Sequence, residues 1–339
     1  MNQPKPTCSV CIANYNGESY ITDCLESVYS QDFIQPIEIL VHDDASTDNS
    51  VQLIQENFPD VVLIPSHENV GFCISNNRMV AQAQGELILL LNNDAKLRQG
   101  ALRRLYEAYK THGDGIYGLP QFNMQTGELI DLGSLFDFFL NPIPNLDPAL
   151  EDVGMIIGAC LFLPRRLWDE IGGFPDFFNF LAEDMYLCCV ARLLGYPVKV
   201  IKEGGFDHWV GRNIGGGKVK RDNKLSTTVS RRKLSERNKT FVMIMTFPVF
   251  CATIVLPLHL LTLNLEGLII SIIKKDCSLF TEIYWNNLLQ IYHHRKRLLD
   301  ERRRIQQAKN ISSFSFFTPF QLTPHKIRMF FRHGIPDLK

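Results

Sequence analysis

Five consecutive large apolar residues, Leu87-Ile88-Leu89-Leu90-Leu91, run directly into Asn92-Asn93-Asp94. The run is too short for a helix of its own and too evenly apolar for a half-exposed strand. It therefore predicts a strand buried on both faces, central in a mainly parallel sheet. Ligands in open α/β sheets bind beyond the carboxyl ends of such strands, where Asn92, Asn93 and Asp94 fall. One carboxylate among short polar side chains there suits a hard cation. A plainer role for Asp94 is N-cap of a helix over residues 101–109.

Two upstream segments repeat the pattern. Residues 8–14 read as a strand ending in the turn Tyr15-Asn16-Gly17, and residues 37–43 as a second ending in Asp43-Asp44, with Ser46 and Asp48 just beyond. Helical segments are expected over 20–31, 49–57 and 71–84. Strands alternating with helices imply right-handed crossovers and one parallel sheet.

In this order, Tyr15-Asn16-Gly17, Asp43-Asp44, Asn69-Val70-Gly71 with Asn77, and Leu91-Asn92-Asn93-Asp94 resemble the inverting family-2 glycosyltransferases of the GT-A fold. The likeness continues through Gly158 to Arg166, Gly172-Gly173-Phe174, Phe177-Phe178, Glu183-Asp184, Gly195-Tyr196 and His208, covering about residues 7–240. The resemblance implies an α/β nucleotide-sugar-binding domain of GT-A type over residues 1–235, its mainly parallel sheet flanked by helices. A helical, membrane-associated region over 236–339 would follow. The ending Asn-Asn-Asp is similar to bacterial members that build O-antigens, capsules and other cell-envelope glycans, many of them rhamnosyltransferases.

The resemblance also distributes roles. Asp43 would accept the imide N–H of uracil or thymine, with Tyr15 packing at the base and Asn16, Asp44, Gly71, Asn77 and Asn93 completing the nucleotide site. Without the other motifs, Asp43 reads simply as a turn carboxylate. Asp94 would be the direct ligand of Mg2+ or Mn2+, which bridges the diphosphate and offsets charge on the leaving group. Asn92 stands where many relatives carry an acid, so the site is less charged than theirs and metal affinity without nucleotide is expected to be low.

His208 matches a family position near metal or diphosphate, and an imidazole ligand favours manganese-like ions; the alternative is a packed structural histidine. Behind it, Arg212 or Lys218 in a Gly-rich segment would meet phosphate, unless that segment is only a surface loop. An inverting displacement needs a carboxylate opposite the leaving group. Asp184 is the expected base and Glu183 its neighbour orienting acceptor or loop, both opening a helix over 185–194 whose N-terminus favours the ionised form. A pair of capping carboxylates is the ordinary alternative. Many relatives carry a further acid where this chain has Tyr186, which bears on acceptor contacts. Residues 125–154, Pro-rich and aromatic, read as an acceptor-side loop.

The 339 residues exceed one ordinary domain, and a formal net charge of −1 leaves no nucleic-acid footprint. The nine cysteines show no framework spacing, and Cys8 and Cys11 on one strand point oppositely, which argues against zinc and for reduced, buried thiols. Met1 to Thr7 is polar and carries no apolar signal region, so export is not expected.

The C-terminal third differs in kind. Residues 241–265 hold no Asp, Glu, Lys or Arg, enough helix for about 37 Å against a hydrocarbon core of about 30 Å. Both flanks are basic, with Arg231, Arg232 and Lys233 before and Lys274, Lys275 and Arg295 after, and Pro248 and Pro257 interrupt the run. A re-entrant or interface-lying helical pair bent near Pro257 keeps both flanks on one side. Tyr284, Trp285, Leu288, Leu289, Tyr292 and Leu299 recur at helical spacing among arginines, as in an interfacial helix; a helical subdomain packed on the catalytic core is the alternative. Residues 312–320, rich in Ser and Phe, either cover the core or stay loose.

These readings converge on sugar transfer with inversion, first L-rhamnose from dTDP-rhamnose, onto an undecaprenyl-diphosphate-linked saccharide at the cytoplasmic face of a bacterial inner membrane. A UDP-sugar donor carrying galactofuranose or an N-acetylhexosamine remains open. So does a non-catalytic sugar-nucleotide-binding scaffold. A nucleotidyltransferase would need a Gly- and Arg-rich phosphate loop that residues 14–17 do not supply.

Overall fold

The computed structural model describes residues 5–209, 216–219, 225–335 and 337–338, the side chains of 216–219 and 225 excepted. Arg212 and the side chain of Lys218 thus lie outside the described residues. The chain divides into two compact units: Met1–Ser134, Pro144–Arg192 and Tyr196–Val210 form the first; Leu135–Ile143, Leu193–Gly195 and Gly211–Lys339 form the second. The boundary expected after residue 235 falls inside a helix of the second unit.

The first unit opens with strict alternation: β1 (Cys8–Asn14), α1 (Ile21–Tyr29), β2 (Ile37–Asp43), α2 (Ser50–Asn57), β3 (Val62–Pro65), α3 (Phe72–Gln82) and β4 (Leu87–Asn92). Strand β3 escaped the sequence reading although it lies in the apolar run Val61-Val62-Leu63-Ile64; it has only four residues, none of them fully buried. Next come β5 (Ala95–Leu97), α4 (Ala101–His112), β6 (Ile116–Gly118), β7 (Gln121–Asn123) and β8 (Leu129–Asp131), followed by β9 (Ser134–Asp137) and β10 (Pro142–Pro144), which apart from Ser134 and Pro144 belong to the second unit. Residues 125–154 are therefore not one long loop. Three strands of three or four residues lie within them, each too short to show a period. The first unit closes with β11 (Cys160–Pro164), α5 (Arg165–Ile171), α6 (Glu183–Leu194), β12 (Val198–Val200) and β13 (Phe206–His208).

Seven strands form the central sheet in the order β12-β6-β11-β4-β1-β2-β3. Strand β1 is parallel to β2 and β4, β2 to β3 and β6 to β12, while β11 runs antiparallel between β4 and β6, so the sheet is mainly parallel, as expected, with one reversed strand that makes it mixed. The five residues of β11 are all buried, so its apolar run carries no sign of direction. Val10, Ile12, Leu89 and Leu91 pack on one face against Leu25 and Val28 of α1 and Leu102 and Leu105 of α4. Each such buried aliphatic side chain contributes about 2 kcal/mol of transfer free energy. Register carries the polar ends into line: Asn14 stands opposite Asp43, and Ala13 opposite Asn92. A smaller sheet, β5-β13-β7-β8, holds the residues just beyond β4.

The second unit contains β14 (Gly216–Val219), β15 (Leu225–Thr227), α7 (Val229–Thr246), α8 (Val249–Lys274), a π-helical segment Phe280–Trp285, α9 (Asn286–Ala308), α10 (Ser313–Phe316), β16 (Phe320–Gln321), α11 (His325–His333) and β17 (Asp337–Leu338). The bend expected near Pro257 lies instead at Phe247-Pro248, between α7 and α8, while Pro257 sits inside continuous helix. A residue before proline is driven out of the helical region, and Phe247 adopts φ −64° and ψ 131°.

Helix α8 leaves most of its apolar surface outside. It buries His259, Leu263, Gly267, Ile270 and Ser271 and exposes Phe250, Ile254, Leu258, Leu261, Leu265, Leu268 and Ile272. Inward, Glu266 meets Arg232 and Lys326, His259 lies 3.0 Å from the Thr240 hydroxyl, and Glu236 holds Lys239 at 2.7 Å. Tyr284, expected on an interfacial face, is fully buried; Trp285, Leu289, Tyr292 and Leu299 of that set are exposed. Residues 312–320 cover the core of this unit: Phe316, Phe317 and Phe320 surround Phe247 at centroid distances of 5.5–6.1 Å.

Candidate active site

The carboxyl ends of β1, β2 and β4 are tied by one fully buried side chain, Asn14. Its amide donates to Asp43 Oδ1 at 2.9 Å and Ser50 Oγ at 3.0 Å, and its oxygen accepts from Asn93 Nδ2 at 3.0 Å. The sequence reading took Asn14 only as the last residue of the strand over 8–14 and missed this role; its signal is the register that sets it opposite Asp43. Gly17 is required above it, since an added Cβ would stand 2.1 Å from Asn14 Oδ1 and 2.5 Å from Asn93 Nδ2. Asp43 also accepts from the Ser46 hydroxyl at 2.6 Å and the Ser46 N–H at 3.1 Å. Asp44 accepts from Val70 N–H at 2.7 Å and Gly71 N–H at 2.9 Å, pinning the start of α3 where Gly71 has φ +85°.

Asn16, at φ 48°, accepts from Thr47 N–H at 2.8 Å, and Tyr15 beside it is half exposed. Tyr15, Asn16, Asp43, Asp44, Gly71 and Asn93 thus share one rim of strand-end loops. Asn77 does other work: it donates to Phe174 O at 2.9 Å and Asp176 Oδ1 at 2.8 Å and accepts from Phe174 N–H at 3.0 Å. These bonds tie α3 to the turn after α5.

Asp94 does not cap a helix, because β5 intervenes and Gly100 occupies the N-cap of α4. Strand β13 pairs antiparallel with β5, setting His208 opposite Ala95 and hence beside Asp94. His208 Nε2 lies 3.1 Å from Asp94 Oδ1, and both side chains are buried. On the other ring edge, Gln121 Nε2 lies 2.8 Å from His208 Nδ1. Two adjacent ligands of a small divalent cation, with bonds of about 2.1 Å, stand about 3 Å apart. One carboxylate oxygen and one imidazole nitrogen at 3.1 Å therefore fit such an ion. Among the described residues no set of three His, Cys, Asp or Glu side chains forms a metal site, so the remaining ligands would be phosphate oxygens and water.

Glu183 and Asp184 start α6 next to the same rim. Asn92 N–H donates to Ala159 O at 3.0 Å, which fixes the start of β11 beside the end of β4. Gly158 N–H then donates to Asp184 Oδ2 at 3.0 Å, and Met185 N–H meets Asp184 Oδ1 at 2.7 Å. Glu183 Oε1 lies 3.9 Å from where a Cβ on Gly158 would stand. Burial raises the Asp184 pKa above its ordinary value, opposed by the N–H groups of Gly158 and Met185. The backbone donors at the start of α6 favour the ionised carboxylate, while burial, the larger influence, favours the protonated one. A raised value makes the carboxylate a stronger base. Asn179, Leu181 and Ala182, just before α6, all have φ near +65 to +72°. Non-glycine residues hold such angles only where their surroundings enforce them, at about 1–2 kcal/mol each.

Residues 9–171 match the model described as "Glycosyl transferase family 2". The chain carries a family-2 glycosyl transferase domain. It is 24% identical over 186 residues to the N-acetylglucosaminyl-diphospho-decaprenol L-rhamnosyltransferase of Mycobacterium tuberculosis, covering 45% of this chain and 60% of that protein. With the poly(ribitol-phosphate) beta-N-acetylglucosaminyltransferase TarS of Staphylococcus aureus it shares 32% identity over 158 residues, 42% of this chain and 28% of the relative. The matched segments span only 20–38% of three other curated relatives. Among solved structures, GalNAc-T7 with UDP, GalNAc and Mn2+ superposes with a TM-score of 0.57 at 13% identity, covering 74% of this chain and 49% of the other. S. aureus TarS 1–349 with UDP superposes at 0.50 and 17% identity, covering 85% and 91%. These likenesses give the family-2 domain a GT-A-like fold, with the mixed sheet described above.

Proposed function

We propose that the domain transfers a sugar with inversion from a nucleoside diphosphate donor to a hydroxyl of a growing cell-envelope glycan. The observation that carries this reading is the Asp94–His208 pair, 3.1 Å apart just beyond the end of β4; Asp184, bonded to the Gly158 N–H next to Ala159, supports it. Asp43, with Tyr15, receives the base; Asn16, Asp44, Gly71 and Asn93 shape the rim, Asn77 supports α3, and Arg212 is the expected phosphate contact. Mg2+ or Mn2+ held by Asp94 and His208 would neutralise the diphosphate leaving group. Asp184, its basicity raised by burial, takes the proton from the acceptor hydroxyl as that oxygen attacks the anomeric carbon. Glu183 orients the acceptor.

We take the donor as dTDP-L-rhamnose and the acceptor as an undecaprenyl-diphosphate-linked saccharide, read from the Asn-Asn-Asp motif and supported by the mycobacterial relative's name. The name of the TarS relative favours a second reading, transfer of an N-acetylhexosamine from a UDP donor. The outward apolar face of α8, a helix of 26 residues that is long and apolar enough to cross a membrane, supports attachment to a membrane; we take this to be its cytoplasmic face, where a lipid-linked acceptor is presented.

The test is nucleoside diphosphate release by detergent-solubilised protein given dTDP-rhamnose or UDP-sugars, Mn2+ or Mg2+, and a lipid-diphosphate-GlcNAc acceptor. Release should require metal and acceptor, and Asp184→Asn should lower it by 10²–10⁴-fold. Nucleotide binding without turnover across a broad acceptor panel, unaltered by Asp184→Asn, would instead establish a scaffold.

A further inference from the structure

We propose that Gln121 is the positioning residue that lets His208 exchange its hydrogen bond to Asp94 for a bond to a divalent cation. The inference rests on Asp94 and His208 forming the cation site. It starts from a chain of three side chains: Gln121 Nε2 is 2.8 Å from His208 Nδ1, and His208 Nε2 is 3.1 Å from Asp94 Oδ1.

A carboxylate only accepts, so His208 must carry its proton on Nε2 to bond Asp94. A neutral ring then presents a lone pair at Nδ1, and the Gln121 amide donates to it. A cation needs the Nε2 lone pair instead. The ring must then carry its one proton on Nδ1, and an amide nitrogen facing it would set donor against donor. Turning the amide half a revolution presents Oε1 as acceptor at the same place and nearly the same shape. Net charge is conserved, because the proton lost from Nε2 is matched by the proton gained at Nδ1.

Glutamine suits both states because it carries a donor and an acceptor on one planar group. Aspartate and glutamate offer acceptors alone, and an aliphatic residue offers neither. Gln121 and His208 are 3% and 9% exposed, so water is a poor substitute for the amide. The placement is built into the small sheet. Strand β13 lies between β5 and β7, with Phe206 opposite Gln121 in parallel register, and β7 is backed by β8 through Gln121 and Asp131. Metal-bound histidines take their orientation and tautomer from such a partner on the second nitrogen, and losing it typically weakens metal binding 10–100-fold.

The experiment measures Mn2+ affinity from the free-ion EPR signal, with UDP present, for the full chain and its variants. Gln121→Leu should weaken Mn2+ binding about 10–100-fold. Gln121→Glu, with an acceptor fixed toward Nδ1, should bind at least as tightly as the parent. His208→Ala should weaken binding, and adding Gln121→Leu to it should cost little more, since the glutamine acts through the ring. Weakened binding by His208→Ala with no effect of Gln121→Leu would overturn the Gln121 role alone. Unchanged binding by His208→Ala would overturn the cation site as well. Should the leucine variant not fold, a tenfold loss in Gln121→Glu would decide against the proposal.

Discussion

At the level of single side chains, Asn14 and Asp131 show how much of the site is support. Replacing Asn14 by Ala removes its bonds to Asp43, Ser50 and Asn93 in a fully buried setting. An expected loss of about 2–4 kcal/mol, from leaving buried partners unsatisfied, should appear as a lower urea midpoint. Tyr15→Ala, at a half-exposed position, should leave that midpoint within about 0.5 kcal/mol and weaken nucleotide binding. Asp131 titrates differently: burial lifts its pKa to about 6, opposed by Ser134 and the Asn145 N–H. Between the ordinary value near 4 and this one, the folded chain holds the proton and the unfolded chain does not. Raising the pH through that window therefore removes stability. Asp131→Asn should gain on the parent by about 3 kcal/mol as pH rises from 4 to 7, read from paired denaturation curves.

At the level of elements, two helices carry the membrane reading. In water a helix turns its apolar stripe inward; α8 turns His259 and Ser271 inward beside Leu263 and Ile270, and leaves Leu258, Leu261, Leu265 and Leu268 exposed. Helix α11 adds Ile327, Phe330 and Phe331, exposed beside Lys326, Arg328 and Arg332, with no acidic residue over His325–His333. Such a pairing of apolar anchors with cations fits an anionic bilayer surface. Flotation with vesicles containing phosphatidylglycerol should retain the protein, and Phe330→Ser with Phe331→Ser should reduce retention several-fold. Retention by purely zwitterionic vesicles should be weaker. Equal binding to both, unaffected by these substitutions, would remove the electrostatic part of the reading. In the same unit, Glu236 touches both Lys239 and Lys326, an arrangement that sequence spacing alone shows only for the i,i+3 pair.

For the whole molecule, legibility followed periodicity. The βαβ alternation through β4, apart from the four-residue β3, and the apolar stretch of α8 were readable because each runs long enough to stand out. The motifs marking Asp94, Asp184 and His208 were readable as a family pattern. The reversed direction of β11 was not, because a fully apolar strand has no polarity along its length. The strands within residues 125–154 were hidden by their three- or four-residue length. Composition marked a C-terminal third unlike the rest, yet the units exchange segments at 135–143 and 193–195, a division no linear reading contains.

The sequence by itself determined the longer elements, most of their alternation, and which carboxylates stand at strand ends, since propensity and periodicity are local properties of the chain. Only the tertiary structure decided that Asn14 joins three strands, that Gln121 faces the second nitrogen of His208, and that burial governs Asp184. Those facts rest on strand register and on side chains brought together from 26 to 114 positions apart. No local pattern encodes such distances.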